Sequence, residues 1–251
     1  MKEESITKFL SVAREASIKA GKFLLSPDVT LKNANSSIGR DIKIKADNAS
    51  EDIIVGCLKK ASEFSILSEE SSMIDRGNHE FIWIVDPLDG SLNFSRGIPL
   101  CCISIGLWRD MEPLLGVVYD FYRDELFAGI AGKGAWLNGE KISPSAINKR
   151  ESAILCTGFP VNTDFSTERL MPFIQMIQNY KKVRLLGSAA LSLSYVASGK
   201  TDAYVENDIM IWDVAGGLAI ASGAGCMLEI SSGKKKNSLK VAVTNGSFSI
   251  G

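Results

Sequence analysis

The sequence predicts an α/β fold built on two sheets, an antiparallel one in the first half and a parallel or mixed one in the second. Three observations carry this. From Leu100 to Ile130 the apolar runs LCCISIGLW, EPLLGVVYDF and DELFAGIA are parted only by the turns RDM and YRD, the pattern of an antiparallel meander. Further on, AILCTGF, KVRLL and DAYVE read as strands that alternate with the helical stretches STERLMPFIQMIQNY and SAALSLSYVAS, the grammar of a sheet covered by helices. Between them KGAWLNGEKISPSAINKRE, rich in turn-formers and charge, marks a boundary between subdomains 1–143 and 144–251 of a single unit.

Taken in order, MKEESITKFLSVAREASIKAGKFLL spaces Phe9, Ala13, Ala16 and Ala20 along one helical face and carries charge throughout, unlike a signal peptide. The polar stretch SPDVTLKNANSSIGRDIK reads as a loop or irregular hairpin. DNASEDIIVGCLKKA predicts a helix with Asp47 or Asn48 as N-cap, acids in its first turn, lysines in its last, and Ile53, Ile54 and Leu58 on one side. FSIL and EFIWIV predict short buried strands that each run straight into carboxylates, Glu69 and Glu70 after the first, Asp86 and Asp89 after the second. If those strands pair, their ends deliver acid to one place.

Composition excludes several classes of function. Of 251 residues, 28 are basic and 29 acidic, so at a formal charge of −1 no global field draws the chain to nucleic acid or an anionic membrane. The most apolar segment, VAGGLAIASGAGCML, is too short and too rich in Gly and Ser to span a bilayer and predicts a buried helix followed by a strand. Cys57, Cys101, Cys102, Cys156 and Cys226 are odd in number and lack CxxC spacing, which argues against a disulfide framework or a thiolate zinc site and for a reducing cytoplasm. Dinucleotide and P-loop fingerprints are missing, and the one histidine, His79, lies in the polar run DRGNHE, which removes a Ser-His-Asp triad.

The carboxylates remain. A single acid at a strand end is usually a solvated loop residue or a helix cap. Glu69, Asp86 and Asp89 each follow an apolar strand, however, and Asp213 interrupts the apolar IMIWDVAGG, where an unpaired charge is expensive to bury. Converging buried carboxylates need protons or metal, and oxygen ligands without thiolates suit Mg2+ or Mn2+, ions that serve phosphoryl-ester hydrolysis. If a helix starts after Asp89, the amides of Gly90 and Ser91 point at an anion ahead of them.

SEESS, WIVDPLDGSLNF, GIPLCCISIGL and IWDVAGG, in that order, resemble the inositol monophosphatase family within the Mg2+-dependent, lithium-sensitive sugar phosphatases. The match runs from about the second helix to near the C-terminus, through KGAWLNGEKI, LLGSAAL and SGKTDAYVE. The resemblance implies a layered αβαβα sandwich and a hydrolase for small phosphorylated polyols or sugars, with two to three Mg2+ per site and Mn2+ able to substitute. It further implies that Glu69, Asp86 and the Leu88 carbonyl bind the first ion, that Asp86, Asp89 and Asp213 bind the second, and that a weaker third leans on Glu69. Ser91, Glu69 and Asp47 would orient the attacking water, Gly90 and Ser91 would hold the phosphate, and Ala189 and Glu206 would contact the ring. A homodimer is expected, and no membrane or nucleic-acid partner.

The substrate is left between inositol 1-phosphate, fructose 1,6-bisphosphate or both. Leu92 and Asn93 depart from the branch that hydrolyses 3'-phosphoadenosine 5'-phosphate, which stands as an alternative, as does a regulatory binding protein on the same fold. A bisphosphate needs a second anion site, for which Arg184, Lys200 or Arg96 are the candidates.

Overall fold

The computed structural model describes residues 3–27, 34–38, 41–159 and 163–250. The polar stretch read as a loop or hairpin lies partly outside them; what is described of it is a β-hairpin, β1 (Ala34–Ile38) against β2 (Asp41–Ile44).

The first sheet has eight strands. They are β3 (Phe64–Ser68), β4 (Ser72–Ile74), β5 (Asn78–Asp89), β6 (Cys102–Arg109), β7 (Glu112–Asp120), β8 (Glu125–Ile130), β9 (Gly134–Leu137) and β10 (Glu140–Lys141), in the spatial order β10-β9-β8-β7-β6-β5-β3-β4. The predicted meander is β6 to β8. Its RDM turn is a two-residue link with Asp110 and Met111 both at positive φ, which matches the twist of the joined strands. β9 and β10 fall inside the segment read as a boundary: GAWLNGEK is a hairpin that closes the first sheet, because NG supplies the turn between two short runs able to pair. His79 belongs to the exposed start of β5 rather than to a loop.

Only β3 and β5 pair in parallel in this sheet, with Ser68 opposite Val85. That one parallel pair is what brings their acid-bearing ends to the same edge.

Alternation along the strands assigns the two faces. Trp83, Val85, Ile103, Ile105, Leu107, Leu115, Val117 and Tyr119 point to a core shared with α1 (Glu3–Leu24) and α2 (Lys45–Ala61). In α1, Ala13, Ala16 and Ala20 are fully buried, and Phe9 meets Phe64 and Trp83 at ring centroids of 5.1 and 6.0 Å. The opposite face, with Ile84, Cys102, Trp108, Val118 and Phe127, packs on α5 (Ala189–Ala197) and α6 (Ile211–Ala224). There Gly106, Gly116 and Gly129 stand opposite one another across β6, β7 and β8. A Cβ on any of them would strike the α6 backbone, at Ala215, Gly216 and Ile220 respectively, so the three glycines form a groove in which α6 lies against the sheet.

The second sheet holds β11 (Ile154–Thr157), β12 (Lys182–Arg184), β13 (Ala203–Met210), β14 (Met227–Ser232) and β15 (Ser238–Thr244), in the order β12-β11-β13-β15-β14, with β11 parallel to both neighbours and the other pairs antiparallel. It covers α5 and α6 from the far side, and α4 (Thr167–Ile177) lies beyond it, Met176 and Ile177 packing on Leu155 and Ala203. The layers therefore run α1/α2, first sheet, α5/α6, second sheet, α4, which is the αβαβα sandwich. VAGGLAIASGAGCML is the inner helix α6 plus the start of β14, apolar all round because it has a sheet on each side.

Candidate active site

Glu69 follows β3 and is tied back by its N–H to the Val85 carbonyl of β5 at 3.2 Å. β5 does not end at Val85 but continues through Asp86-Pro87-Leu88-Asp89, and its register against β6 shifts between Asp86 and Asp89. The irregularity turns both carboxylates to one side. It is held from several directions: Leu88 N–H donates to Asp86 Oδ1 at 3.0 Å, Ser50 Oγ donates to the Pro87 carbonyl at 2.7 Å, and Ser91 Oγ lies 2.9 Å from the Leu88 carbonyl.

Gly90 then takes φ 89°, walled by the Leu100 and Gly187 carbonyls and Cys101 Cβ, so no side chain fits there. The short helix α3 (Ser91–Ser95) follows, and its Asn93 Nδ2 donates to the Leu100 and Leu186 carbonyls at 2.7 and 2.9 Å, tying it to the second half of the chain.

Asp213 arrives from the far half, in the first turn of α6. One oxygen each of Glu69, Asp86 and Asp213 lie within 4.8 Å of one another. Burial pushes the Asp86 carboxyl well above the usual range, and Glu69, Asp89 and Asp213 raise it further; the Leu88 N–H only partly opposes this. Asp213 is likewise raised well above, first by desolvation and then by Glu69, Asp89 and Glu206. Its surface is only partly covered, but the protein atoms around it still displace water. Asp89 is pushed up to about 6 by burial, against the hydrogen bonds it receives, chiefly from the Ser188 hydroxyl and the Ala190 N–H. Cys102, beside it, is a buried thiol whose pKa burial raises well above its ordinary value, so it is no nucleophile.

Asp47 sits at the near end of α2 but does not cap it. The helix begins two residues earlier, at Lys45, and Asp47 Oδ2 reaches back to accept the Ile44 N–H at 2.6 Å, the position that a capping-box acid takes. Its other oxygen, Oδ1, is 2.8 Å from Ser91 Oγ. The hydroxyl has one proton and donates to Asp47 or to Leu88 in turn.

These groups border a cavity of about 490 Å3. Glu69, Asp86, Leu88, Asp89, Gly90 and Ser91 from the first half of the chain line it together with Ala189, Glu206 and Asp213 from the second. Glu206 Oε2 accepts the Tyr204 hydroxyl at 2.9 Å, and burial raises the carboxyl to about 7, with Asp89 adding to the rise.

The cationic candidates fare differently. Arg184 is exposed at the end of β12, donates from Nη1 to its neighbour Val183, and does not line the cavity. Lys200 is engaged with both oxygens of Glu125 at 2.8 Å and lies over the Phe127 and Tyr195 rings. Arg96 is exposed and outside the cavity too. Sequence reasoning missed Ser188, Tyr204, Gly158 and Lys235, all of which border the cavity. Only GSAA, a serine at a helix start, carried a signal for one of them.

The sequence profile described as the Inositol monophosphatase family matches residues 5–248. The chain is similar to inositol monophosphatase 3 of Solanum lycopersicum, 37% identical over 96% of this chain and 93% of that one. It is similar as well to the Nus factor SuhB of Pasteurella multocida, 37% identical over 86% of this chain and 82% of the relative. Among solved structures it resembles the inositol monophosphatase from Anabaena (Nostoc) sp. PCC 7120, with a TM-score of 0.83 at 33% identity, covering 96% of this chain and 92% of the other.

Proposed function

Because the chain belongs to the inositol monophosphatase family, and so to the phosphoric monoester hydrolases, we propose that its carboxylate-lined cavity hydrolyses phosphate esters of small polyols or sugars with Mg2+. The observation that carries this reading is the meeting of Glu69, Asp86 and Asp213 oxygens within 4.8 Å on the wall of that cavity. Three like charges at that spacing repel, and burial already drives Asp86 and Asp213 towards protonation; a divalent cation removes both penalties. The donors are carboxylate and carbonyl oxygens with no thiolate or imidazole among them, a set suited to Mg2+ or Mn2+.

On this reading Glu69, Asp86 and the Leu88 carbonyl hold one ion, Asp86, Asp89 and Asp213 a second, and Glu69 supports a weaker third. When bound, the ions supply positive charge that polarises the phosphoryl group and eases deprotonation of water. Asp47 is clamped by the Ile44 N–H and keeps the Ser91 hydroxyl aimed, so that Ser91, with Glu69, orients the attacking water. The amides of Gly90 and Ser91 receive the phosphate. Glu206, steadied by Tyr204, takes hydroxyls of the polyol beside Ala189.

The test is phosphate release from inositol 1-phosphate and fructose 1,6-bisphosphate with Mg2+. Activity is expected in the wild type and none after chelation or in Asp89→Asn; full activity in that variant overturns the assignment. A homodimer is part of the reading, and a solution mass of one protomer refutes it. Five unpaired cysteines suit a cytoplasmic setting, and no described helix is long and apolar enough to cross a membrane.

A second reading rests on the similarity to proteins named Nus factor SuhB: a protein that binds a regulatory partner through the surface of the same fold. It would be favoured by partner capture that survives loss of Glu69, Asp86 and Asp213 together.

A further inference from the structure

A second cavity, of about 430 Å3, lies beside the first. Thr157, Gly158, Phe159, Glu206, Asp208 and Lys235 line both, so the two form one cleft with a waist at these residues. The floor of the second compartment is apolar. Phe159 packs on Phe173 of α4 with ring centroids 4.7 Å apart, and Leu170 and Met176 come from the same helix. Its rim is basic, with Arg169 from α4 and Lys234 and Lys235 from the turn between β14 and β15.

None of these three cations forms an ion pair with a described residue. The carboxylates that share the compartment already receive donors. Asp208 Oδ1 accepts the Lys234 N–H at 2.6 Å, Glu206 accepts the Tyr204 hydroxyl, and Asp164 accepts the Ser166 N–H at 2.9 Å ahead of α4. Arg169 helps to hold the exposed Asp164 below its ordinary pKa, after the Ser166 hydrogen bonds, which shares part of its field but leaves its donors open to a ligand.

The lysines are held in place by the fold. β13 breaks register between Glu206 and Ile209, and Asp208 takes φ 59°. This left-handed step turns the Asp208 carboxylate to the hairpin tip, where it fixes the Lys234 N–H. The Lys235 N–H donates to Ser238 Oγ at 3.0 Å, and the Gly233 N–H to the Ser238 carbonyl at 2.8 Å, closing the turn. One bulge therefore follows Glu206 at the wall of the catalytic compartment and anchors two lysines at the waist.

We propose that the second compartment is an anion subsite: it takes a second phosphate carried on the alcohol part of the substrate, so that the preferred substrate is a bisphosphate, with Lys235 at the waist and Arg169 and Lys234 beyond it. The inference rests on the phosphatase reading. A second phosphate that meets the open donors of Arg169, Lys234 and Lys235, while the neighbouring carboxylates are engaged with donors of their own, gains charge-assisted hydrogen bonds that a monophosphate cannot make, and the gain is realised as selectivity between the two.

Fructose 1,6-bisphosphate and fructose 1-phosphate differ only in the second phosphate, and their kcat/KM ratio reads the subsite. The wild type is expected to prefer the bisphosphate by about tenfold or more, and the Arg169→Gln/Lys234→Gln/Lys235→Gln variant to bring the ratio close to one. A fault confined to folding lowers both values and leaves their ratio alone. A wild-type ratio near one, or a preference that survives the triple variant, overturns the proposal. If neither ester is hydrolysed, the phosphatase reading fails by itself, and calorimetric titration of the same two esters with Mg2+ still decides. Tighter binding of the bisphosphate that vanishes in the triple variant supports the subsite, and equal binding in the wild type rejects it.

Discussion

Ser188 Oγ donates to Asp89 Oδ2 at 2.6 Å, and the same oxygen accepts the Leu191 N–H at 3.2 Å as the N-cap of α5. The Ala190 N–H adds a bond of 2.8 Å to the same carboxylate oxygen. The start of a helix in one half of the chain thus sets the orientation of an acid in the other.

Replacing Ser188 by Ala removes a helix cap and a hydrogen bond to a buried acid at once. The expected loss is about 2–4 kcal/mol in urea unfolding, with weaker Mg2+ binding by titration. Ser188→Thr is expected to recover much of both; an Ala variant as stable as the wild type would show that the contact does not matter.

Glu69, Asp86 and Asp213 repel one another without a cation. In chelator, Asp213→Asn is therefore expected to raise the thermal midpoint, by about 2 °C or more, while Mg2+ stabilises the wild type by more than it stabilises the variant, which keeps only the site of Glu69, Asp86 and the Leu88 carbonyl. Calorimetry with and without Mg2+ checks both halves. A variant that melts lower in chelator would mean that the acids are not in conflict.

Glu206 has its pKa raised from the ordinary carboxyl value to about 7 in the folded chain, chiefly by burial. The folded state therefore holds this proton more tightly than the unfolded one. Its contribution to stability is complete below the unfolded pKa and is lost as pH rises through about 7. Metal-free protein is expected to lose stability across that window, and Glu206→Gln to show a smaller loss in melts run from pH 4.5 to pH 8, roughly the span that brackets both pKa values. Equal slopes in the two proteins would count against it.

At Gly116 a methyl group would meet the Gly216 carbonyl of α6. Gly116→Ala is expected to cost about 1–3 kcal/mol and, by moving α6, to weaken Mg2+ binding although the residue touches no ligand. Urea unfolding and metal titration measure the two effects separately, and an unchanged metal affinity would show that α6 does not shift.

The two strands and their terminal acids were legible because an apolar run followed at once by carboxylates is a local pattern, and so was α6, apolar all round. The start of α2 was misread because Asp47 looks the same in sequence whether it caps its own helix or reaches back from the third position to the Ile44 N–H. Ser188 and Tyr204 escaped notice because their partners, Asp89 and Glu206, are specified by strand register and helix docking rather than by spacing. Lys235 is one of three successive lysines in a turn, and only the bulge at Asp208 distinguishes it from a solvated neighbour. Arg184 is a cation just before LLGSAAL, but which side chains reach the cavity is decided by the fold, and Arg184, exposed at the end of β12, is not among those that line it.

The glycine groove under α6 also governs when the protein becomes competent. Synthesis proceeds from the N-terminus, so Glu69, Asp86 and Asp89 emerge from the ribosome long before Asp213. Until α6 follows and lies against Gly106, Gly116 and Gly129, one apolar face of the first sheet is incompletely covered and the acid cluster lacks a member. A nascent chain is then both sticky and inert. Docking of α6 supplies the missing acid, while α5 and the second sheet complete the cover of that face and of α6 itself.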